Sequence, residues 1–154
     1  MPEIHLDWVN PNRPDVIEML QEADEYFAQL YTAEQRHLLN IETLVQPNIK
    51  FLLALLHNEA VGCGAIRLWR DYAEVKRMYV RPGWRGAGIA YRILGKLEAL
   101  AQDLGFTNIR LETGIYQLEA VKLYERNGYI RRGPFGEYPD IHTSLFYEKH
   151  LQAK

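Results

Sequence analysis

The stretch VRPGWRGAGIAYRIL, Val80 to Leu94, passes from a strand-like segment into a helical pattern through a run of small residues. A helix that begins there leaves several backbone N–H groups without intrahelical partners, at the positive end of the helix dipole. The small residues Gly86, Ala87, Gly88 and Ala90 leave these groups open to an anion such as phosphate. Alternatively, the glycines only supply the backbone angles of a tight turn.

Neither common nucleotide-binding motif fits this turn. The dinucleotide fingerprint would need Gly or Ala at Tyr91, and a parallel βαβ unit before it. A mononucleotide P-loop ending at Gly95-Lys96 would need glycine at position 90 and Ser or Thr in place of Leu97. A phosphate ligand of this turn therefore belongs to another class.

The composition is that of an ordinary globular protein. The chain has 154 residues, of which 47% are hydrophobic and 25% charged. This length and composition predict a single domain over residues 1–154. The net charge of −2 predicts no nucleic-acid or anionic-membrane partner. The lone Cys63 excludes an internal disulfide, and no metal-ligand cluster is present in the sequence. No secretory signal is visible, and the longest apolar run, Phe51–Leu56, is too short to span a membrane. We expect a cytoplasmic protein without a metal.

Hydrophobic periodicity predicts the element order β-α-α-β-β-β-α-β-α-β-β. The expected helices are one through Val16 and Leu30, one from Ala33 to about Val45, one at Gly88–Leu104 and one at Gln117–Arg126. The expected strands are Ile4–Val9, Ile49–Leu56, Val61–Leu68, Ala73–Val80, Ile109–Thr113, Tyr129–Arg132 and Ser144–Lys149. Because a helix separates Ile109–Thr113 from Ala73–Val80, these two strands should be parallel. The pattern predicts an α+β domain around a mixed sheet.

Two segments together resemble the GCN5-related N-acetyltransferase (GNAT) superfamily. Residues 85–90 (RGAGIA) resemble its Arg/Gln-x-x-Gly-x-Gly/Ala signature, which seats the pyrophosphate of acetyl-CoA. Residues 123–129 (LYERNGY) are similar to its Leu-Tyr-x-x-x-Gly-Phe/Tyr element. The resemblance covers about Phe51 to Leu151, and residues 1–50 match in element order only. It implies the acyl-CoA N-acyltransferase fold, with a mixed, splayed sheet of about seven strands and about four helices.

The resemblance also implies how acetyl-CoA, as co-substrate, would be held. The strand before the turn would splay from its parallel neighbour, and backbone groups of Met78, Tyr79 and Val80 would pair with the pantetheine arm. The pyrophosphate would lie on Arg85, Gly86, Ala87, Gly88, Ile89 and Ala90. On the following helix, Gln117, Ala120 and Tyr124 are expected to contact the cofactor, although many relatives carry asparagine where this chain has Gln117.

Two residues are implied for catalysis. Tyr124 matches the tyrosine that faces the CoA sulfur, where a phenol with a pKa near 10 can protonate a thiolate with a pKa near 8.5. Alternatively, Tyr124 only belongs to an apolar stripe. An ammonium acceptor must lose a proton, and Glu74 lies where several relatives place a glutamate that acts as base through water. Alternatively, Glu74 is an edge charge paired with Lys76 or Arg67.

Several other residues receive weaker assignments. Cys63 is interpreted as a small buried hydrophobe, so direct attack is favoured over an acyl-cysteine intermediate. Glu112 and Thr113 should point toward the splay and orient the acceptor. Acidic residues of the first helix would attract a cationic amine or form a solvated face: Glu18, Glu22, Asp24 and Glu25. Near the C-terminus, Phe135 and Tyr138 would wall a pocket or pack on the sheet, and Arg131 and Arg132 argue for an acceptor with a carboxylate.

The favoured function is transfer of the acetyl group of acetyl-CoA to a primary amine of a small molecule or peptide. One alternative is a non-catalytic acyl-CoA sensor or interaction module. Another is an acyltransferase with a different acyl donor or an oxygen acceptor, because the glycine turn recognises CoA phosphates and not the acyl chain. The identity of the amine and a homodimeric state stay open.

Overall fold

The computed structural model describes residues 3–153, and seven strands and four α-helices lie within them. The strands are β1 (His5–Val9), β2 (Ile49–Leu56), β3 (Glu59–Leu68), β4 (Ala73–Val80), β5 (Asn108–Gly114), β6 (Ile130–Arg132) and β7 (Ser144–His150). The helices are α1 (Pro14–Leu30), α2 (Ile41–Leu44), α3 (Ile89–Asp103) and α4 (Leu118–Arg126). The strands form one sheet in the order β1-β2-β3-β4-β5-β7-β6. The predicted α+β class with a mixed sheet is confirmed.

Helices cover both faces of this sheet. Alternate residues of β2 separate into two buried clusters, because successive strand side chains point to opposite faces. Leu52 and Ala54 pack in the cluster that holds the apolar stripe of α3, and Phe51 and Leu53 pack in the cluster that holds the stripe of α1. Each stripe follows the three-to-four-residue spacing that the sequence shows.

The sheet splays between its two central strands. As predicted, β4 and β5 run parallel, but they pair only from Ala73 opposite Ile109 to Val75 opposite Leu111. Beyond Val75, β4 continues along β3, and β5 continues along β7 as far as Gly114. The two strands therefore diverge and leave a wedge-shaped opening in the middle of the sheet.

A β-bulge lies in β4 at the start of this opening. The register of the β3–β4 pair shifts between Cys63 and Ala65, so that Arg77 and Met78 together face Gly64. Arg77 has a φ of 55°, in the left-handed region that non-glycine residues rarely adopt. An extra residue of this kind bends its strand and increases its twist, which turns β4 away from β5.

The predicted second helix, Ala33 to about Val45, was wrong in its extent. The structure has a single 3₁₀ turn at Ala33–Gln35, an irregular segment at residues 36–40 and the short helix α2. Asn40 starts α2 as its N-cap, since its side-chain oxygen accepts a hydrogen bond from the Thr43 N–H at 3.0 Å. The backbone carbonyl of His37 instead accepts a hydrogen bond from Lys76 Nζ at 3.1 Å. A continuous helix is replaced by a segment tied to the sheet.

Candidate active site

The opening between β4 and β5 is the mouth of a cleft lined by four parts of the chain. Residues of α1 and the segment that follows it form one wall: Phe27, Tyr31, Gln35, Arg36, His37 and Leu38. The splayed strands and α4 form the rest: Val75, Lys76, Arg77, Met78, Glu112, Thr113, Gly114, Gln117 and Tyr124. Of the predicted residues, Met78, Glu112, Thr113, Gln117 and Tyr124 line this cleft, whereas Val80, Ala120 and the glycine turn do not.

The edge of β4 that faces the opening carries backbone groups for a ligand. In an antiparallel ladder, the backbone groups of successive residues point to opposite sides. Because the Arg81 N–H donates to the Val61 carbonyl at 2.9 Å, Tyr79, two residues earlier, also directs its backbone toward β3. Met78 and Val80 direct theirs toward the opening. The geometry therefore supports Met78 and Val80 as pantetheine partners, and it turns the backbone of Tyr79 away.

The glycine turn presents N–H groups at the start of α3. Gly86 and Gly88 have φ angles of 84° and 79°, and a Cβ added to either would meet no atom within 4 Å. The backbone N–H of Arg92 donates to the Gly88 carbonyl at 3.1 Å, so the N–H groups of the three residues between them precede the helical ladder. Gly88 is the N-cap residue, and no side chain caps the helix. The turn thus leaves these N–H groups outside the helical ladder, with open space beside Gly86 and Gly88.

Arg85 stands beside this turn with part of its side chain already engaged. Its Nε donates to the carbonyl oxygen of Val80 at 2.8 Å. Its guanidinium lies 5.2 Å from the ring centre of Tyr26 and 5.6 Å from that of Tyr79. Arg85 remains exposed, and a contact of its terminal nitrogens with phosphate stays a prediction.

Tyr124 lies at the inner end of the cleft. It is 4% exposed and packs its ring against Tyr129 and Tyr147. Within residues 3–153, its hydroxyl forms no hydrogen bond. Burial and, to a lesser extent, the nearby Glu112 carboxylate raise the pKa of Tyr124 above its ordinary value. Its hydroxyl therefore stays protonated at neutral pH and faces the cleft.

Gln117 and Ala120 lie on the same side of α4 as Tyr124. Gln117 is the N-cap residue of α4, and its side-chain oxygen accepts a hydrogen bond from the Gly114 N–H at 3.0 Å. Its NH₂ end is left to donate into the cleft that it lines. Ala120 is half-buried against the core, one turn before Tyr124. Their contacts with a cofactor stay predictions.

Glu74, the predicted base, lies behind the cleft and does not line it. It is 3% exposed, and both carboxylate oxygens are engaged. Trp69 Nε1 donates to Oε1 at 2.9 Å and the Tyr138 hydroxyl donates to Oε2 at 2.5 Å. Lys76 Nζ lies 3.7 Å from Oε2. A group held in this way organises its neighbours, and its role as a base stays a prediction.

Glu112 is the carboxylate that faces the cleft. It lies on β5, and its pKa is raised, chiefly by burial, while a hydrogen bond from Ser144 and the charge of Lys76 oppose that shift. Ser144 Oγ also lies 3.5 Å from Nε2 of His37. Burial and the charge of Lys76 lower the pKa of His37, which is therefore neutral at pH 7. Ser144 thus lies next to both Glu112 and His37, and these two residues line the cleft.

Lys76 and Tyr138 hold this wall against the sheet. Lys76 Nζ contacts the Tyr138 hydroxyl and the His37 carbonyl. The ring of Tyr138 packs edge-on against His37 at 5.2 Å and also against Phe135 at 5.2 Å. Burial lowers the pKa of Lys76, and the charges of Glu74 and Glu112 work against that shift. Phe135 and Tyr138 therefore pack over the sheet, and Tyr138 supports the cleft from behind.

Sequence reasoning missed Tyr31, which closes one end of the cleft. Its hydroxyl accepts a hydrogen bond from the Tyr116 N–H at 3.0 Å. A Cβ on Gly114 would lie 1.9 Å from that hydroxyl oxygen, so only glycine fits there. In the sequence, Tyr31 lies just after α1 and Gly114 lies at the end of β5. Only the tertiary contact shows that the two residues belong together, so the sequence alone contains no signal for Tyr31.

Two of the acidic residues of α1, Glu22 and Asp24, contact β4 and the residue that follows it. Glu22 accepts a hydrogen bond from the Tyr79 hydroxyl at 3.0 Å and lies 3.2 Å from Arg81 Nε. Asp24 accepts one from Arg77 at 2.6 Å. Burial, followed by the contact with Glu22, raises the pKa of Tyr79 to about 12. These carboxylates join α1 to β4, and attraction of a cationic amine by the acidic residues of α1 stays a prediction.

Arg131 and Arg132 were offered as partners of an acceptor carboxylate, but neither lines the cleft. Arg132 forms an ion pair with Glu148 at 3.0 Å and lies over the ring of Phe135. Arg131 lies over the ring of Tyr147. Among the described residues 3–153, the arginine at the cleft wall without a carboxylate partner is Arg36, which sequence reasoning did not single out.

Cys63 is a small buried residue, as predicted. It is fully buried, its thiol donates to the Arg77 carbonyl at 3.3 Å, and burial raises its pKa to about 12. In the part of the chain that the structure describes, no group of three or more His, Cys, Asp or Glu side chains is placed to hold a metal ion. Over the same residues, no helix has the length and apolar character needed to cross a membrane.

Comparison with known proteins agrees with this geometry. Residues 15–129 match the Acetyltransferase (GNAT) family. A protein of Azospirillum brasilense named IAA acetyltransferase is 42% identical over 153 residues, 98% of this chain and 100% of that protein. The uncharacterized N-acetyltransferase YsnE of Bacillus subtilis is 31% identical over 139 residues, 88% of this chain and 92% of that protein.

Solved structures share the whole fold. A Klebsiella pneumoniae protein assigned as an acyl-CoA N-acyltransferase superposes with a TM-score of 0.82 at 32% identity, over 97% of this chain and 98% of that one. The PaiA N-acetyltransferase of Thermoplasma acidophilum, in complex with coenzyme A, superposes with a TM-score of 0.75 at 18% identity, over 97% and 99% of the two chains.

The splayed sheet with its glycine turn is the acyl-CoA N-acyltransferase fold. This chain belongs to the GNAT family of acetyltransferases.

Proposed function

We propose that the chain transfers the acetyl group of acetyl-CoA to a primary amine of a small molecule or peptide. The observation that carries this proposal is the opening between β4 and β5, which Tyr124 and Glu112 line, together with the glycine turn that follows the end of β4 in the chain. A donor with a pyrophosphate at one end and a thioester at the other has the layout of this opening.

The residues present fit such a donor. The N–H groups of the glycine turn would hold the pyrophosphate, and the space beside Gly86 and Gly88 is open. The backbone groups of Met78 and the N–H of Val80 would pair with the pantetheine amides, because a strand edge exposed in a sheet needs hydrogen-bond partners; the Val80 carbonyl already accepts a hydrogen bond from Arg85. When bound, acetyl-CoA supplies an activated acyl group and a thiolate leaving group.

Glu112 is the best-placed group to take the proton of the acceptor amine. An alkyl ammonium has a pKa of about 10.4, so it must lose a proton before its nitrogen can attack the thioester carbonyl. The buried Glu112 has a raised pKa, which makes it a stronger base than an exposed carboxylate. Ser144 and His37 offer that proton a path outward, and Glu74 serves by positioning Tyr138 and Lys76.

Tyr124 stabilises the departing thiolate. As the carbon–sulfur bond breaks, negative charge collects on sulfur, and a phenol hydroxyl in the cleft donates a hydrogen bond to it. Because burial raises the pKa of Tyr124, full transfer of its proton to a thiolate is uphill. We assign Tyr124 as a hydrogen-bond donor to the sulfur, with the proton supplied in the end by solvent.

A coupled binding and turnover experiment tests this function. Calorimetric titration with acetyl-CoA, CoA and a longer acyl-CoA identifies the donor, and thiol release with a panel of primary amines and alcohols identifies the acceptor class. We expect acetyl-CoA to bind and amines to be acetylated. Binding without turnover of any acceptor would favour the sensor alternative. Preference for the longer acyl-CoA would show that the proposed donor is wrong, and preference for alcohols would show that the proposed acceptor class is wrong.

A further inference from the structure

The wall of the cleft opposite the splayed strands carries an organised cation. Arg36 follows the 3₁₀ turn at Ala33–Gln35, where Thr32 and Gln35 cap each other's backbone. The Nε of Arg36 donates to the Thr32 carbonyl at 3.3 Å. That bond fixes the base of the guanidinium and leaves its terminal nitrogens to donate elsewhere. Lys76, through the His37 carbonyl, holds the same segment at the cleft.

The charges around the cleft leave this cation without a protein partner. Within the described part of the chain, three cationic side chains line the cleft: Arg36, Lys76 and Arg77. Lys76 lies against Glu74 and Arg77 forms an ion pair with Asp24. Among residues 3–153, Arg36 has no carboxylate within ion-pair distance. Glu112, the one carboxylate lining the cleft in that range, lies on β5 and not on the wall of Arg36.

Apart from Gln35 and His37, the remaining lining of the same wall is apolar. Phe27 and Tyr31 are buried, Leu38 is 36% exposed, and all three border the cleft. Tyr116 extends this surface, with its ring centre 5.4 Å from that of Tyr31. An acceptor that enters here meets hydrocarbon and aromatic surface on its way to Glu112. Burying such surface favours an acceptor with an apolar part.

We propose that the acceptor is a primary amine that also carries an anionic group, a carboxylate or a phosphonate, together with an apolar part. The anion binds the guanidinium of Arg36, the apolar part packs on Phe27 and Tyr31, and the amine reaches Glu112. A guanidinium recognises carboxylates and phosphonates through paired N–H donors. This inference rests on the proposed amine acetylation and names the substrate class of the same site.

Matched acceptors test the anionic group. We would measure thiol release from acetyl-CoA with amino carboxylates and aminoalkylphosphonates, each beside its neutral amide or ester, with phenylalanine and phenylalaninamide as one pair. The amine of phenylalaninamide is the less basic of the two, so intrinsic reactivity at neutral pH favours the amide. We expect the acids to have kcat/KM values about tenfold higher than their neutral partners, because the neutral compounds lack the charge-assisted contact with Arg36. The two anion types distinguish a carboxylate from a phosphonate.

Variants of the arginine supply the second readout. Arg36→Gln should raise KM for the anionic amines about tenfold and leave kcat, the KM of neutral amines and the CoA affinity within about twofold. Arg36→Lys should recover part of the preference, since it keeps the charge and loses the paired donors. Arg70→Gln, an exposed arginine outside the cleft lining, is the control and should change none of these values.

The following results would overturn the inference. Equal use of acids and amides, or an equal effect of Arg36→Gln on both, would show that no anion is recognised at Arg36. If CoA binds and no anionic amine in the panel binds or reacts, the acceptor class is wrong while the donor site stands. If no acyl-CoA binds, the proposed function itself fails.

Discussion

The two ends of the cleft are built in different ways. The proposed donor end would use backbone groups of one continuous stretch, from Met78 through the glycine turn to the start of α3. The proposed acceptor end would use side chains from α1, the segment after it, β5 and β7. A site made of backbone leaves a local signature in the sequence, since it needs glycines with positive φ at fixed positions. A site made of distant side chains leaves none.

The sharpest form of this contrast is between two glutamates on neighbouring strands. Glu74 is enclosed by Trp69, Tyr138 and Lys76, and Glu112 faces the cleft. Substituting Glu74 tests a role in holding Tyr138 and Lys76 behind the cleft. Substituting Glu112 tests a role in proton transfer.

Glu112→Gln should give the largest loss of rate. Removal of a general base costs about 100-fold or more in kcat/KM, with acetyl-CoA affinity unchanged. In the wild type, kcat/KM should rise with pH through the raised pKa of Glu112, and this limb should vanish in the variant. The pH profile of thiol release measures both, and a variant that keeps the wild-type rate and limb would remove Glu112 from catalysis.

The same substitution should stabilise the protein. The folded-state pKa of Glu112 is raised, so its ionised form costs stability once pH exceeds the unfolded pKa of about 4.3. Glu112→Gln should therefore raise Tm at pH 7 and change it little at pH 4. Glu74→Gln, the matched control, disturbs a carboxylate with three partners and should lower Tm at pH 7 with a smaller effect on rate. Thermal unfolding at both pH values is the measurement.

Tyr124→Phe should lower kcat about tenfold to 100-fold, the equivalent of one hydrogen bond to a charged group. The ring contacts with Tyr129 and Tyr147 survive this change, so stability and acetyl-CoA affinity should be retained. Steady-state kinetics beside calorimetric titration separates the two effects. An unchanged kcat would leave Tyr124 as a packing residue only.

Gly88→Val should weaken CoA binding about tenfold or more. A β-branched residue with φ near 79° is strained by about 1–3 kcal/mol, and its side chain would fill the open space at the turn. Gly105→Val is the matched control, because Gly105 has a φ of 91° at the opposite end of α3. We expect both variants to lose similar stability and only Gly88→Val to lose affinity. Equal CoA affinities of the two variants would show that the glycine turn does not bind the cofactor.

Cys63 should show the smallest effect. With its thiol fully buried and its pKa raised to about 12, it should not react with a thiol reagent at pH 8 unless the protein unfolds. Cys63→Ala should leave kcat/KM within about twofold. Rapid labelling of the native protein, or loss of turnover in the variant, would reopen an acyl-cysteine route.

What the sequence predicted follows the same division. The glycine turn, the long helix α3 and the parallel pairing of β4 with β5 each depend on short-range patterns, and the structure contains all three. The single helix expected from Ala33 was wrong, because Lys76 and the Asn40 cap compete with helical propensity there. Tyr31, Arg36 and the orientation of Glu112 depend on contacts between segments far apart in the chain, and neither spacing nor periodicity records them.

The central claim is that the splay between β4 and β5 holds the acyl donor. A crystal structure of the chain grown with CoA tests it most directly. The account predicts pantetheine between the two strands, hydrogen-bonded to the backbone of Met78 and Val80, with the pyrophosphate on the N–H groups that follow Gly86 and the sulfur beside Tyr124. CoA bound on another surface, or a cleft closed in the presence of saturating CoA, would contradict it.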